Sequence, residues 1–117
     1  MARKPVKQDP VAVVLERFAA AKIPWADYNA GFERPPYAAH DRRAGAMKAW
    51  AAWEAKVAAR SADPRTVAHW VAVSAEHDAL QALEGLTDPK DRLAALLQCP
   101  NPTVRQAALL ATAEVAA

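Results

Sequence analysis

Three histidines and one cysteine are the side chains of this sequence best suited to catalysis or metal binding: His40, His69, His77 and Cys99. On one continuous helix, His69 and His77 would lie about 80° apart and two turns from each other. That spacing is poor for two ligands of one metal ion, and the sequence has no His-x-x-x-His or Glu-x-x-His pair. We therefore expect surface or half-buried histidines, no metal site and no cofactor.

The single cysteine excludes an internal disulfide and a cysteine-based zinc site. A reactive thiol needs a cationic neighbour or a helix N-terminus. Because a helix is predicted to begin near Pro102, a thiol-dependent enzyme or redox sensor using Cys99 stays open as a third hypothesis. With three glycines, no Gly-rich phosphate loop and no Gly-x-Ser-x-Gly motif, the sequence favours a protein that is not an enzyme.

Charge and aromatic side chains are unevenly distributed along the chain. Residues 1–60 contain 11 Lys/Arg against 6 Asp/Glu, whereas residues 61–117 contain 4 against 7. The net charge of +2 is too small to indicate a nucleic-acid-binding protein by itself. The basic half does predict a binding surface, formed by Tyr37, Arg42, Arg43, Trp50, Trp53, Lys56 and Arg60.

Three interpretations of this surface remain open. Buried aromatic side chains with basic residues that steer the encounter would suit another protein, or further copies of this chain. Alternatively, Arg42, Arg43, Lys56 and Arg60 could contact the phosphates of a nucleic acid while Trp53 stacks on its bases. In the third interpretation, the basic side chains solvate an Ala-rich helix and the tryptophans belong to the core.

The elements that must position these residues are predicted to be helices. Thirty-one of the 117 residues are alanine, the strongest helix former, and apolar residues do not alternate with polar ones as in strands. Asp or Asn followed by Pro is typical of a helix start, because the side chain caps the helix and Pro fits its first position. The predicted starts are Asp9-Pro10, Asp63-Pro64, Asp88-Pro89 and Asn101-Pro102. We expect an all-α fold of five to seven helices.

Helical periodicity predicts the helices and their buried faces. The predicted helices cover residues 10–22, 38–60, 64–74, 76–84, 89–98 and 102–115, and 64–84 is either one helix or two. The longest, 38–60, places four apolar side chains on one arc. The predicted apolar stripes are Val11, Val14, Leu15 and Phe18; Met47, Trp50, Trp53 and Val57; Val67, Trp70 and Val71; Leu80, Leu83 and Leu86; Leu93, Leu96 and Leu97; and Val104, Ala108 and Leu109.

Residues 24–37 contain four aromatic side chains among prolines and a glycine: Trp25, Tyr28, Phe32 and Tyr37. Four aromatics are too many for a solvated linker. The segment is therefore predicted to be an ordered loop packed over the core, with an aromatic recognition surface as the alternative.

The second half of the chain resembles a HEAT-type helical repeat, and also the short variant repeats of bacterial α-solenoids. The resemblance rests on a Leu-rich helix with Leu93, Leu96 and Leu97, the turn Asn101-Pro102, and then Val104-Arg105 followed by Ala107 and Ala108. A poorer copy begins at Ala62-Asp63-Pro64. The resemblance covers about residues 61–117 and implies a helical hairpin architecture and a binding role.

These observations predict a basic tail over residues 1–9 and a single helical domain over residues 10–117. The domain would comprise a basic half, 10–60, with the long amphipathic helix, and a HEAT-like half, 61–117. No apolar run is long enough to span a membrane, and Gln8, Asp9 and Pro10 interrupt any signal-peptide core. We expect a cytoplasmic protein with no membrane partner.

Overall fold

The computed structural model describes residues 8–117, so residues 1–7 of the predicted basic tail lie outside the described residues. Residues 8–117 contain six helices and no strand, which confirms the predicted all-α fold of five to seven helices. In this range no helix is both long and apolar enough to cross a bilayer. The helices are α1 (Pro10–Ala21), α2 (Trp25–Asn29), α3 (Ala44–Ala62), α4 (Pro64–Leu83), α5 (Pro89–Leu97) and α6 (Pro102–Ala116).

All four predicted helix starts are confirmed. The Asp9 carboxylate accepts a hydrogen bond from the backbone N–H of Val11 at 3.0 Å. At the start of α4, the Asp63 carboxylate accepts one from the N–H of Arg65 at 2.8 Å. Asp88 and Asn101 cap α5 and α6 in the same way, each followed by proline. These caps satisfy N–H groups that have no partner inside the helix.

One helix start differs from the predictions, and one open question about the length of a helix is answered. The long helix begins at Ala44 rather than at residue 38, because the Asp41 carboxylate accepts hydrogen bonds from the backbone N–H and the guanidinium of Arg43 and so stabilises a turn there. The open question about residues 64–84 is settled by one continuous helix, α4. It ends before Gly85, whose φ of 76° is in the left-handed region, where glycine commonly ends helices.

The described residues fall into two compact units. One unit contains the residues up to Lys22 together with Trp70–Ala117, and the other contains Ile23–His69. In the first unit, α1 packs against α5 and α6, and α5 packs against α6. Its core is formed by Val11, Val14, Phe18, Ala75, Ala79, Leu83, Leu96, Cys99, Val104, Ala108 and Ala111.

The two C-terminal long helices bury mainly alanine, and of the predicted larger side chains they bury only Leu83 and Val104. In α4 the buried side chains include Ala72, Ala75 and Ala79, and in α6 they include Ala108 and Ala111. Small side chains let helices approach closely, so the alanine face becomes the packed face. The predicted core positions Val67, Trp70, Val71, Leu80 and Leu109 were therefore wrong, since all five side chains are exposed.

The unit Ile23–His69 contains α2, α3 and the first residues of α4. Residues 30–43 connect α2 to α3 without a helix. Its buried side chains are Ala46, Thr66 and His69. Most of the residues singled out by the sequence lie in this unit.

Candidate functional site

One face of α3 holds the preceding segment by hydrogen bonds to its backbone. The indole Nε1 of Trp50 donates to the carbonyl of Tyr37 at 3.1 Å, and that of Trp53 donates to the carbonyl of Phe32 at 3.1 Å. Lys56 Nζ donates to the carbonyl of Gly31 at 2.6 Å. Backbone carbonyls without a partner are costly when water is excluded, so these donors stabilise a segment that has little regular structure of its own.

Arg60 completes this row of donors at the C-terminal end of α3. Its Nη1 donates to the carbonyl of Tyr28 at 2.9 Å. The guanidinium carbon lies 4.2 Å from the centroid of the Tyr28 ring and 3.9 Å from that of Phe32. A planar cation between two aromatic faces is stabilised by cation–π attraction. Four donors from α3 therefore fix the aromatic segment 24–37, which was predicted to be a loop but contains the helix α2.

Tyr37, Arg42, Arg43 and Trp50 lie around the start of α3. The Arg43 guanidinium is 5.8 Å from the centroid of the Tyr37 ring, and it forms an ion pair with Asp41 at 2.7 Å. Hydrogen bonds from the side chain and backbone of Arg43 hold the pKa of the Asp41 carboxyl below its ordinary value. Arg42 is exposed beside them.

Trp50 and Trp53 are half-buried and meet edge to face, with ring centroids 5.5 Å apart and planes at 80°. This geometry suits the aromatic quadrupoles. Of the seven predicted binding residues, six therefore have partners within their own unit, and Arg42 is the exception. Tyr37, Arg42 and Arg43 are exposed.

An open cleft of about 550 Å³ lies beside the C-terminal part of α3. Lys56 and Arg60 contribute to it from α3, and Asp63, Arg65 and Thr66 contribute from the start of α4. The remaining lining residues are Ile23, Asp27, Tyr28, Phe32 and Ala59. The cleft thus combines three cationic side chains, two carboxylates and the N-terminal turn of a 20-residue helix.

Trp25 is the most exposed large apolar side chain of the described residues, at 69%. Its ring stacks on that of Tyr28 with centroids 5.9 Å apart and planes at 8°. The Tyr28 ring in turn stacks on the imidazole of His69, with centroids 5.2 Å apart. An aromatic side chain held against others in this way is both exposed and restrained.

The histidines and the cysteine form no metal site in residues 8–117, where no group of three His, Cys, Asp or Glu side chains has suitable geometry. The expectation of surface or half-buried histidines was wrong for His69, which is buried; its Nδ1 accepts a hydrogen bond from the backbone N–H of Ile23 at 2.7 Å. Cys99 is a free thiol, 3% exposed, in the core of the other unit. Its carbonyl accepts a hydrogen bond from Arg105 at 2.7 Å.

Several residues of the cleft were not predicted from the sequence, above all Arg65, Thr66 and Asp27. A signal for the first two was present, because Arg60 and Arg65 lie on either side of the Asp63-Pro64 helix start. Cations on both sides of a tight interhelical turn are brought close by the turn itself. The position of Asp27 depends on how the segment before α3 folds, and no local pattern shows that.

Comparison of the chain with protein-family models, with curated proteins and with solved structures finds no match. The class of protein is therefore defined by what its own residues form: an all-α protein with an aromatic and basic unit built on α3.

Proposed function

We propose that the protein is a non-enzymatic binding or assembly subunit, and that the unit Ile23–His69 presents its aromatic and basic surface to a protein partner. The observation that carries this proposal is Trp25, a tryptophan 69% exposed whose ring is stacked on Tyr28. Tryptophan is enriched among the residues that dominate interface energies. A side chain already restrained before binding loses less conformational entropy when it is buried.

Arg42, Arg43 and Tyr37 supply the second part of the proposed surface. The unit carries seven Lys/Arg against five Asp/Glu, so its charge favours an acidic partner surface. Exposed charges of this kind affect the association rate more than the final affinity. In this proposal Trp50 and Trp53 do not contact the partner. Their indole N–H groups hold the surface in place by hydrogen bonds to the carbonyls of Tyr37 and Phe32.

The HEAT-like interpretation of residues 61–117 belongs to the same proposal. Its support is the packing of α5 against α6 on either side of the Asn101-Pro102 start. Arg105, the arginine of the Val-Arg pattern, donates hydrogen bonds to the carbonyls of Cys99 and Pro100 in the connecting turn. Helical hairpins of this type present surfaces to partners and rarely carry chemistry.

The test is site-specific photocrosslinking with benzoylphenylalanine at position 25 and, as the matched control, at position 48. Lys48 is exposed on α3 and does not line the cleft. We expect one discrete protein adduct from position 25 and none from position 48. The adduct is identified by mass spectrometry, and the purified partner is titrated with the wild-type protein and with Trp25→Ala.

Loss of an anchoring tryptophan should weaken that binding by roughly tenfold or more. Charge reversal of Arg42 and Arg43 should slow association while changing dissociation little. If Trp25→Ala binds the crosslinked protein as tightly as the wild type, the proposal is wrong. Sedimentation equilibrium shows whether the partner is a second copy of this chain.

Nucleic acid is the second candidate partner, favoured by the cationic cleft with the exposed Trp25 stacked on one of its lining residues. Fluorescence anisotropy with labelled single- and double-stranded oligonucleotides at about 50 and 200 mM salt separates the two candidates, because phosphate contacts weaken steeply over this range. Protein docking predicts no binding at either salt concentration. Binding at 50 mM that is lost at 200 mM, and is abolished by Arg65→Glu in the cleft, would support the nucleic-acid function.

A further inference from the structure

We propose that the cleft between the end of α3 and the start of α4 binds a small phosphate monoester that carries hydroxyl groups, such as a sugar phosphate. The proposal concerns residues other than the exposed Trp25 surface and does not rest on the docking of a protein partner.

The cationic side chains of the cleft retain unused hydrogen-bonding capacity. The Nη2 of Arg60 has no hydrogen bond and is not among the buried unpaired atoms, so it is open to solvent. Lys56 Nζ donates to Gly31 and has two further protons to donate. The side chain of Arg65 is exposed and makes no hydrogen bond or ion pair within residues 8–117. Together they supply several charge-assisted donors for one anion.

The first turn of α4 adds a second source of attraction for an anion. The N-terminus of a 20-residue helix carries a partial positive charge, and of its first N–H groups that of Arg65 is already bonded to the Asp63 cap. Thr66, in this turn, lines the cleft although it is only 5% exposed. Its hydroxyl has no hydrogen-bond partner in the described part of the chain. Because this hydroxyl is not among the buried unpaired atoms, it reaches the solvent of the cleft, where it is available to a ligand oxygen.

The two carboxylates of the cleft favour an ester with hydroxyl groups over a bare anion. The Asp63 carboxylate caps α4 and already accepts a hydrogen bond from the backbone N–H of Arg65. Asp27 makes no side-chain hydrogen bond or ion pair in residues 8–117 and remains an acceptor. A sugar hydroxyl could donate to Asp27 while the phosphoryl group lies against the cations and the helix N-terminus.

The size and surroundings of the cleft favour a small ligand over a nucleic acid. Its volume of about 550 Å³ falls in the range of small-molecule sites. The next pair of basic residues, Arg42 and Arg43, lies at the other end of α3. Arg43 is about 25 Å from Arg60 along the helix axis. The half-buried Trp50 and Trp53 lie between these two groups on α3, so the basic residues do not form a continuous track.

The experiment is isothermal titration calorimetry of the full chain with ribose 5-phosphate, inorganic phosphate, ribose and a ten-nucleotide oligothymidylate. We expect ribose 5-phosphate to bind several-fold more tightly than inorganic phosphate, and ribose not to bind. Equal affinity for the two phosphates would overturn the sugar assignment. Tighter binding of the oligonucleotide would overturn the small-ligand assignment, and binding of neither phosphate would overturn the site.

Two variants and one control locate the binding. Arg65→Gln and Thr66→Val should each weaken ribose 5-phosphate binding, the first by roughly tenfold, since hydrogen bonds to charged groups are the stronger ones. Lys48→Gln removes an exposed cation outside the cleft and should leave ribose 5-phosphate binding unchanged. Arg65→Gln is expected to fold, because the Arg65 side chain has no partner in residues 8–117. Unchanged affinity in both variants would overturn the proposal, and Trp25→Ala, which tests protein docking, should leave ribose 5-phosphate binding intact.

Discussion

Arg60 contacts Tyr28 twice, through a hydrogen bond of 2.9 Å to its carbonyl and through a guanidinium 4.2 Å from its ring centroid. The same guanidinium lies 3.9 Å from the centroid of Phe32. Arg60 of α3 therefore holds both the backbone of α2 and the rings of Tyr28 and Phe32. The buried Nε of Arg60 lacks a hydrogen-bond partner, and cation–π attraction from the two rings compensates part of that cost.

Replacement of Arg60 by methionine keeps the aliphatic stem and removes the guanidinium. We expect the free energy of unfolding to fall by about 2 kcal/mol, from one charged hydrogen bond and two cation–π contacts. Amides of residues 25–37 should exchange with deuterium faster than in the wild type. Arg42→Met, at an exposed position, is the control and should stay within about 0.5 kcal/mol of the wild type. Unchanged exchange in Arg60→Met would show that Arg60 does not hold the segment.

Helix starts were predictable from the sequence because their cause is local. An Asp or Asn side chain reaches N–H groups two or three residues ahead, and proline fits the first turn. The start of α3 was predicted wrongly, and the reason is also local. Asp41 and Arg43 form their own hydrogen bonds, which compete with a helix over residues 38–43. The sequence contains both residues, but their side chains pair only in the folded geometry.

The buried face was predicted well for α1, for α6 at Val104 and Ala108 but not at Leu109, and poorly for α4. In α1 the larger apolar side chains Val11, Val14 and Phe18 lie on one face, and that face is buried. In α4 and α6 alanines cover most faces, so the periodicity of larger residues does not identify the packed one. The contacts of Arg60 with Tyr28 and Phe32 could not be predicted from the sequence either, because they depend on the path of the segment before α3.

Leu96 and Leu109 provide a direct test of which face is packed. Leu96 is fully buried in the core of its unit, whereas Leu109 is 61% exposed. Leu96→Ala should lower the free energy of unfolding by about 2–5 kcal/mol, because it leaves a cavity. Leu109→Ala should change it by less than about 0.5 kcal/mol. Urea denaturation followed by circular dichroism measures both, and equal losses would contradict the alanine-faced packing of α6.

Asn101 joins two parts of the same unit and should be the most sensitive of the helix caps. Its Oδ1 accepts a hydrogen bond from the N–H of Thr103 at 2.9 Å, and its Nδ2 donates to the carboxylate of Asp78 at 2.9 Å. Loss of a cap costs about 1 kcal/mol, and loss of a hydrogen bond to a charged group adds to it. Asn101→Ala should therefore destabilise the protein more than Asp88→Ala, whose side chain only caps α5.

Asn101→Asp separates the two roles of this side chain. The aspartate retains the capping acceptor but replaces the amide donor with a second negative charge beside Asp78. We expect urea denaturation at pH 7 to show a loss of stability that high salt reduces only in part, since both residues are partly buried and salt screens such charges less. A variant as stable as the wild type at low salt would show that the bond to Asp78 contributes nothing.

The ion pair between Arg17 of α1 and Glu114 of α6 makes the packing of these helices sensitive to acid. The hydrogen bond from Arg17 holds the pKa of the Glu114 carboxyl below its ordinary value. Because the folded-state pKa is lower than the unfolded one, the pair stabilises the fold above the ordinary glutamate range. That contribution is lost as the pH falls through the lowered pKa of the folded state.

Arg17→Gln should return the pKa of Glu114 towards its ordinary value, which a pH titration of the Glu114 side-chain carboxyl by carbon-13 NMR measures directly. The loss of stability caused by Arg17→Gln should be present at pH 7 and vanish at the acid end of the titration, where Glu114 is protonated in both states. Lys48→Gln, which removes an exposed cation of the other unit, should leave the Glu114 titration unchanged. A Glu114 titration that is identical in wild type and Arg17→Gln would show that the pair does not form in solution, and the packing of α1 on α6 would then rest on its apolar contacts alone.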